Sequence, residues 1–469
     1  MSDDNPHPDA KTTEEAADAE ENREAGNIFD KHFDSDLTMV VTTVLALYAI
    51  FIIFGVLLGN DINGHFNALQ GLTFLITVYV MLSLALNLHW GYTGLFNIGI
   101  AGFMAIGAYT FAIATASPNP ANPSDIPGLG LPFFVGILLA VVVSGVVGFV
   151  AALPALRLRA DYLAIVTIAL SEIIRFGLKS KALSQFSILG AKMGTGGAGG
   201  ISVDKPPSRV LITDGLGAIP GIGALVDLFI SVGTSIGVNR SVMVSWLYTL
   251  LLVVVAAGFY WLLVRIGFSP FGRVLKAIRE DEDVANALGK DTANFKIKAF
   301  VVGCALMGLV GILWWANAGF INTQPFKPKT TFFIWIALII GGSGSTTGSV
   351  MGGVLFIGTL YQGPITFVGI LKEALNVQGS GPGTIVDAFA LVLQGQIMPL
   401  FEYIMANIEP LRLVLMGAVL VWFMQNKPDG LLGDRKELAT SLDPRSVTRP
   451  PAKAAATDGG AETDGGDDE

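Results

Sequence analysis

Apolar residues in this chain come in long runs separated by short polar breaks, not in the alternation of a half-buried strand or the 3.6-residue period of a water-exposed helix. The runs occupy residues 37–58, 69–88, 95–116, 131–156, 162–178, 242–264, 297–318, 331–342, 349–370 and 410–425. A helix crosses about 30 Å of hydrocarbon with about 20 apolar residues. The pattern therefore predicts an all-α fold, a polytopic membrane helical bundle of about ten transmembrane helices. The run at 331–342 spans only if it continues into the Gly-rich segment that follows; otherwise the expected number is nine.

Composition sharpens this picture. Of the 469 residues 52% are hydrophobic and only 14% charged, against about 25% charged in a soluble domain. The net charge of −9 is unevenly spread: residues 1–36 carry −9 and residues 429–469 carry −5, which leaves +5 on the core. The division is thus an acidic tail at 1–36, a membrane domain at 37–433 and a second acidic tail at 434–469. Acidic segments with few aromatics cannot bury enough apolar surface to fold alone, so both tails are expected to be disordered. The first 36 residues lack the apolar core of a cleavable signal, so the first membrane helix is expected to direct insertion. The single Cys304 excludes an intrachain disulfide and is expected to serve packing.

Lys and Arg in short loops prefer the cytoplasmic side. With the N-terminus inside, the loop with Arg157 and Arg159, the segment from Arg265 to Lys298, and the C-terminus with Arg435 and Lys436 all fall in the cytoplasm. Two long insertions, 179–241 and 371–409, fall outside; the first is Gly- and Pro-rich, with a short helix expected near Gly223 to Val232.

Five segments carry candidate chemistry. FGRVLKAIREDEDVANALGKDTANFKIKAF, from Phe271 to Phe300, is charged and amphipathic. Pro270 suits a helix start, Leu275, Ile278, Ala285 and Leu288 share one helical face, and Gly289 ends the helix. WGYTGLFNIGIAGFMAIGAYTFAI, from Trp90 to Ile113, places Gly94, Gly102, Asn97 and Tyr109 in a Gly-rich helix start. Such residues serve either close helix packing or an unwound backbone beside a cavity. YLAIVTIALSEIIRFGL, from Tyr162 to Leu178, sets Glu172 and Arg175 at i and i+3, where they can pair. Charges at membrane depth face a bundle interior or water-filled path, or else snorkel to the interface. IALIIGGSGSTTGSVMGG, from Ile336 to Gly353, breaks two apolar runs at Gly342, Ser343 and Gly344. It has no phosphate-binding Lys, so it is not a nucleotide loop. VLMGAVLVWFMQNKPDGLLG, from Val414 to Gly433, ends the membrane domain at Pro428, Asp429 and Gly430.

These five segments resemble the ATP-binding-cassette permeases for branched-chain amino acids of the LivM type, from about 90 to 433; the tails and the insertions at about 202–240 and 371–409 have no counterpart. The short coupling motif of such permeases, Glu-Ala-Ala followed by three residues and Gly, is met at Ala285 and Gly289, with Asp283 keeping the charge. The resemblance implies that the segment 271–296, with Arg273, Arg279, Glu280, Asp283, Ala285 and Gly289, couples to an ATPase, Ala285 lying in its groove. It implies that Gly94, Asn97, Gly102, Tyr109, Glu172, Gly342, Ser343 and Gly344 lie along the translocation path. Implied partners are a related second permease in a heterodimer, two cytoplasmic ATPase subunits, an extracellular substrate-binding protein, an amino-acid substrate and the lipid bilayer. No cofactor in this chain and no nucleic acid are implied; the expected location is the plasma membrane, multi-pass, with both termini cytoplasmic.

An enzyme is not expected. Three of the four His residues precede residue 66, and His89 beside Trp90 reads as an interface residue, so no His/Cys metal cluster can form. Two alternatives stay open: the same importer class carrying urea or short amides, and an ion-coupled secondary transporter, for which Glu172, Arg175 and broken helices would also serve.

Overall fold

The computed structural model describes residues 36–120, 125–155, 160–188, 190–219, 221–374 and 381–432. The two tails and Arg157, Arg159, Arg435 and Lys436 lie outside the described residues.

Each apolar run becomes a helix. In chain order these are α1 (Asp36–Leu57), α2 (Ile62–Thr93), α3 (Ile100–Thr115), α4 (Phe133–Ala155) and α5 (Ala160–Lys179). The first insertion holds α6 (Lys181–Ser184) and α7 (Ile222–Ser235), the latter where a short helix was expected. Then follow α8 (Arg240–Gly267), α9 (Pro270–Glu280), α10 (Glu282–Ala287), α11 (Thr292–Trp315), α12 (Pro328–Gly341), α13 (Thr346–Leu355), α14 (Gly363–Ala374), α15 (Ile385–Leu393), α16 (Met398–Ala406) and α17 (Ile408–Asn426). A π-helical turn, Phe356–Tyr361, joins α13 to α14, so 346–374 is one continuous span.

Seven of these are long and apolar enough to cross a membrane among the described residues. The other three of the ten expected runs depart for physical reasons. α5 carries Glu172, Arg175 and Lys179, while α3 and α12 are short because backbone breaks replace their ends. Those breaks are the Gly-rich segments.

The core is built around α11, which packs on α2, α3 and α4. Small residues set the approach: a Cβ on Gly107 would strike the Gly308 backbone, and one on Gly311 the backbone of Met104. Without a hydrophobic force between helices in lipid, such close backbone contact is what holds them. Cys304 is buried against Gly148, in the packing role expected of it. At the end of the bundle away from α9, β1 (Phe186–Ile188) pairs antiparallel with β2 (Ala191–Met193), and β3 (Ile201–Ser202) pairs with β4 (Phe320–Ile321). The second pairing ties the first insertion to the exit of α11.

Candidate functional site

α9 starts as its sequence dictates, with Pro270 in the first turn and the Ser269 hydroxyl accepting from Gly272 N at 3.1 Å. Its apolar face, Leu275 and Ile278, is buried, and Leu275 packs on Leu88 and Tyr92 of α2 and Ala299 of α11. Lys276 is also buried, its ammonium 5.2 Å from the centre of the Tyr92 ring, a cation–π contact that suits a cation removed from water.

A single helix does not run on to Gly289. Asp281 adopts extended backbone and caps a second helix, its carboxylate accepting from Val284 N at 3.0 Å. This break resets the helical phase, so one face no longer gathers all four residues named above. Ala285 turns inward and is only 3% exposed, whereas Leu288 is 74% and Val284 54% exposed. The expectation that Ala285 fills a partner's groove is corrected: its side chain is already covered by its own chain. Gly289 does end the helix, at φ +76°. Behind α10, Lys296 pairs with Glu282 at 2.6 Å. Asp283 and Arg273 point to solvent, while Arg279 reaches Glu280 at 3.5 Å.

Arg279 also donates through Nη1 to the carbonyl of Gly91 at the end of α2. There α2 stops because Gly94 takes φ +73°, a left-handed cap that suits Gly. A side chain on Gly94 would press on Arg279. Gly94 therefore sits against the α9 segment.

The second break follows α12, where Gly342 and Gly344 have φ of +107° and +91°. Asn87 of α2 clamps it: its amide oxygen accepts from Gly344 N at 2.8 Å, and its amide nitrogen reaches the Ser345 carbonyl at 3.4 Å. The Tyr92 hydroxyl lies 2.8 Å from Thr346 Oγ1 at the start of α13. From the other side the C-terminal segment docks, with Leu431 N donating to Ile340 O at 2.9 Å and Leu432 N to Gly341 O at 3.1 Å. These bonds satisfy carbonyls that the end of α12 would leave open. Gly430 lies close on Gly342, where any side chain would collide with its backbone. One knot thus joins the C-terminal end of α2, both Gly-rich breaks, α9 and the chain's last described residues. Asp36, the first described residue, reaches the same end by accepting from Thr347 Oγ1 at 2.8 Å.

Asn97 and His89 form a second buried group. Asn97 Oδ1 accepts from Gly99 N at 2.7 Å, and its Nδ2 donates to His89 Nδ1 at 3.1 Å. His89 Nε2 then donates to the Phe300 carbonyl at 3.1 Å, with the two rings stacked at 4.9 Å. His89 is fully buried, which corrects its reading as an interface residue. Its polar atoms are consumed in tying α2 to α11, and the side chain of Asn97 is likewise committed within the protein. Trp335 of α12, the helix that leads into the second Gly-rich segment, donates to the Asn97 carbonyl of the first at 3.1 Å.

Gly102 lies against the Ser171 backbone of α5. Glu172 and Arg175 do pair, at 2.9 Å (Nε–Oε1) and 2.5 Å (Nη2–Oε2), half-buried with the guanidinium 4.3 Å over the Phe176 ring. Tyr109 is buried, and its hydroxyl has no hydrogen-bond partner among the described residues. The structure thus brings Gly94, Gly342, Ser343 and Gly344 to the α9 end, while Gly102, Tyr109 and Glu172 lie farther along α3 and α5. Sequence reading missed the roles of Asn87, Tyr92, His89 and Lys276; for the first three the signal present was a polar residue in or beside an apolar run. Among the described residues no group of His, Cys, Asp and Glu could hold a metal.

Comparison with known proteins places this architecture. The family described as "Branched-chain amino acid transport system / permease component" matches residues 68–424. The high-affinity branched-chain amino acid transport system permease protein LivM of Salmonella typhimurium is 34% identical over 281 residues, 60% of each chain. The probable branched-chain amino acid transport permease protein LivM of Methanocaldococcus jannaschii is 26% identical over 304 residues, 60% of this chain and 76% of that one. The permease protein LivH of the high-affinity branched-chain amino acid transport system of Escherichia coli is 27% identical over 154 residues, 30% of this chain and 49% of its own. No solved structure matches. A family match over most of the membrane-spanning helices, on a polytopic bundle, settles the class: this chain belongs to the permease components of branched-chain amino acid transport systems.

Proposed function

We propose that the chain is one translocation subunit of an ATP-driven importer, carrying branched-chain amino acids by alternating access. The observation that carries the reading is the α9–α10 segment, which presents Val284, Leu288, Asp283 and Arg273 to solvent while its other face grips both Gly-rich breaks through Arg279, Lys276 and Tyr92. A secondary carrier has no use for an exposed docking surface wired to its helix breaks. An ATPase partner does, because a push on α10 would pass through α9, Lys276 and Tyr92 to Thr346, beside the turn at Gly342–Ser345.

The partners follow from this role: one of two cytoplasmic ATPases on the α9–α10 face, a second permease related to LivH that takes the other, and a substrate-binding protein at the opposite end. An aliphatic zwitterion is the substrate class, with urea and short amides as the competing one. Both described termini lie at the α9 end of the bundle, which supports a common cytoplasmic side for all three.

Orientation is tested by thiol labelling in a Cys304→Ala background. Lys192 and Asn294 are both exposed, at opposite ends. An impermeant reagent outside sealed cells is expected to label Lys192→Cys and spare Asn294→Cys. Labelling of residue 294 would reverse the orientation.

A further inference from the structure

A cavity of about 520 Å³ lies between α1, α2, α8 and α13. Val40, Val44, Ile76, Val80, Leu250 and Val354 are typical of its wall. Its mouth lies between α1 and α8, where Leu37, Val253 and Ala257 are exposed on the outside of the bundle.

The polar side chains on this wall already donate within the protein. Tyr48 bonds to Thr73, Thr73 Oγ1 to the Leu69 carbonyl at 2.7 Å and Thr77 Oγ1 to the Thr73 carbonyl at 2.7 Å. Trp246 Nε1 donates to the Phe66 carbonyl at 3.0 Å, and Tyr260 OH lies 3.2 Å from Thr347 Oγ1, which itself donates to Asp36. Asp36 is the one charged residue of the lining and sits at its end. A zwitterionic amino acid here would bury a carboxylate and an ammonium with little to pair them, which is unfavourable. A hydrocarbon chain loses nothing. Along α1 the wall runs from Leu37 to Tyr48, about 17 Å of helix rise, close to one leaflet of a bilayer about 30 Å thick.

We propose that this cavity is a lipid site that takes one hydrocarbon chain of a membrane lipid from the adjoining leaflet, filling the gap behind the loosely packed α1. The inference does not depend on which solute is transported.

The test uses the full chain purified in mild detergent, stripped of lipid and then exposed to vesicles of phosphatidylglycerol, with native mass spectrometry counting retained lipid. Wild type is expected to retain one lipid that survives further washing. Ala257→Trp, which fills the mouth, is expected to lose it, as is Val44→Phe on the facing wall should the first variant fold poorly. Leu138→Trp, on the exposed face of α4, is expected to keep it. Absence of a retained lipid in wild type, or wild-type retention in both filling variants, would overturn the proposal.

Discussion

Leu288→Asp is expected to abolish uptake while leaving the amount of folded permease in the membrane unchanged. Leu288 is the most exposed apolar side chain of the α9–α10 segment, and Val284 lies one turn before it on the same open face. In water such a pair stabilises nothing in its own chain, so replacing Leu288 does not threaten the fold. Against a partner it is another matter. A buried apolar anchor at a docking centre is typically worth about 2 kcal/mol or more, and a carboxylate in its place is left unpaired, which lowers affinity by roughly 30-fold at least. The ATPases are therefore expected to wash off membranes carrying Leu288→Asp. Ala285→Glu is expected to act differently: a charge forced into a site already covered by the protein should reduce folded permease itself. Equal and normal ATPase retention in Leu288→Asp would show that the docking face lies elsewhere.

Gly344→Leu is expected to remove transport and folded protein together. Its φ of +91° lies where a branched side chain is strained, by about 1–3 kcal/mol. Its N–H is held by Asn87, and a Cβ on the neighbouring Gly91 would already meet Gly344 N, so the turn has no slack. Before the fold is considered, this turn reads equally well as a wall of the path, in which case transport would fall and the protein would persist. The clamp from Asn87 and the docking of Gly430 on Gly342 argue for the packed alternative. Quantifying folded protein in detergent extracts beside leucine uptake separates the two: retained protein with lost uptake would return Gly344 to the path.

The seven long spans were legible in the chain because hydrocarbon leaves a backbone almost no alternative, so length and apolarity suffice to place them, whereas the charges of α5 and the short α3 and α12 depart from that rule. The Glu172–Arg175 pair was legible for a similar reason, being local at i and i+3. The face of α10 was not. A periodic reading through Asp281 keeps Ala285 and Leu288 on one face, and one extended residue there separates them, turning Ala285 inward and leaving Leu288 outward. His89 was misread because its partners are distant in sequence: Phe300 lies 211 residues away, and nothing beside Trp90 announces it. The capping of α12 by Leu431 and Leu432 is equally non-local. Gly94 was expected along the path; its left-handed cap on α2 and its contact with Arg279 of α9 could not be read from the chain because Arg279 lies far away in sequence.

The coupling of solute movement to ATP is the centre of this account, and sealed right-side-out membrane vesicles measure it directly. Vesicles from cells producing this chain with its partner subunits are loaded with ATP or left empty, and labelled leucine is supplied outside with the binding protein. Uptake is expected in the ATP-loaded vesicles alone, unaffected when proton and sodium gradients are collapsed. Uptake that follows an imposed ion gradient and ignores internal ATP would contradict the account and make the chain an ion-coupled carrier.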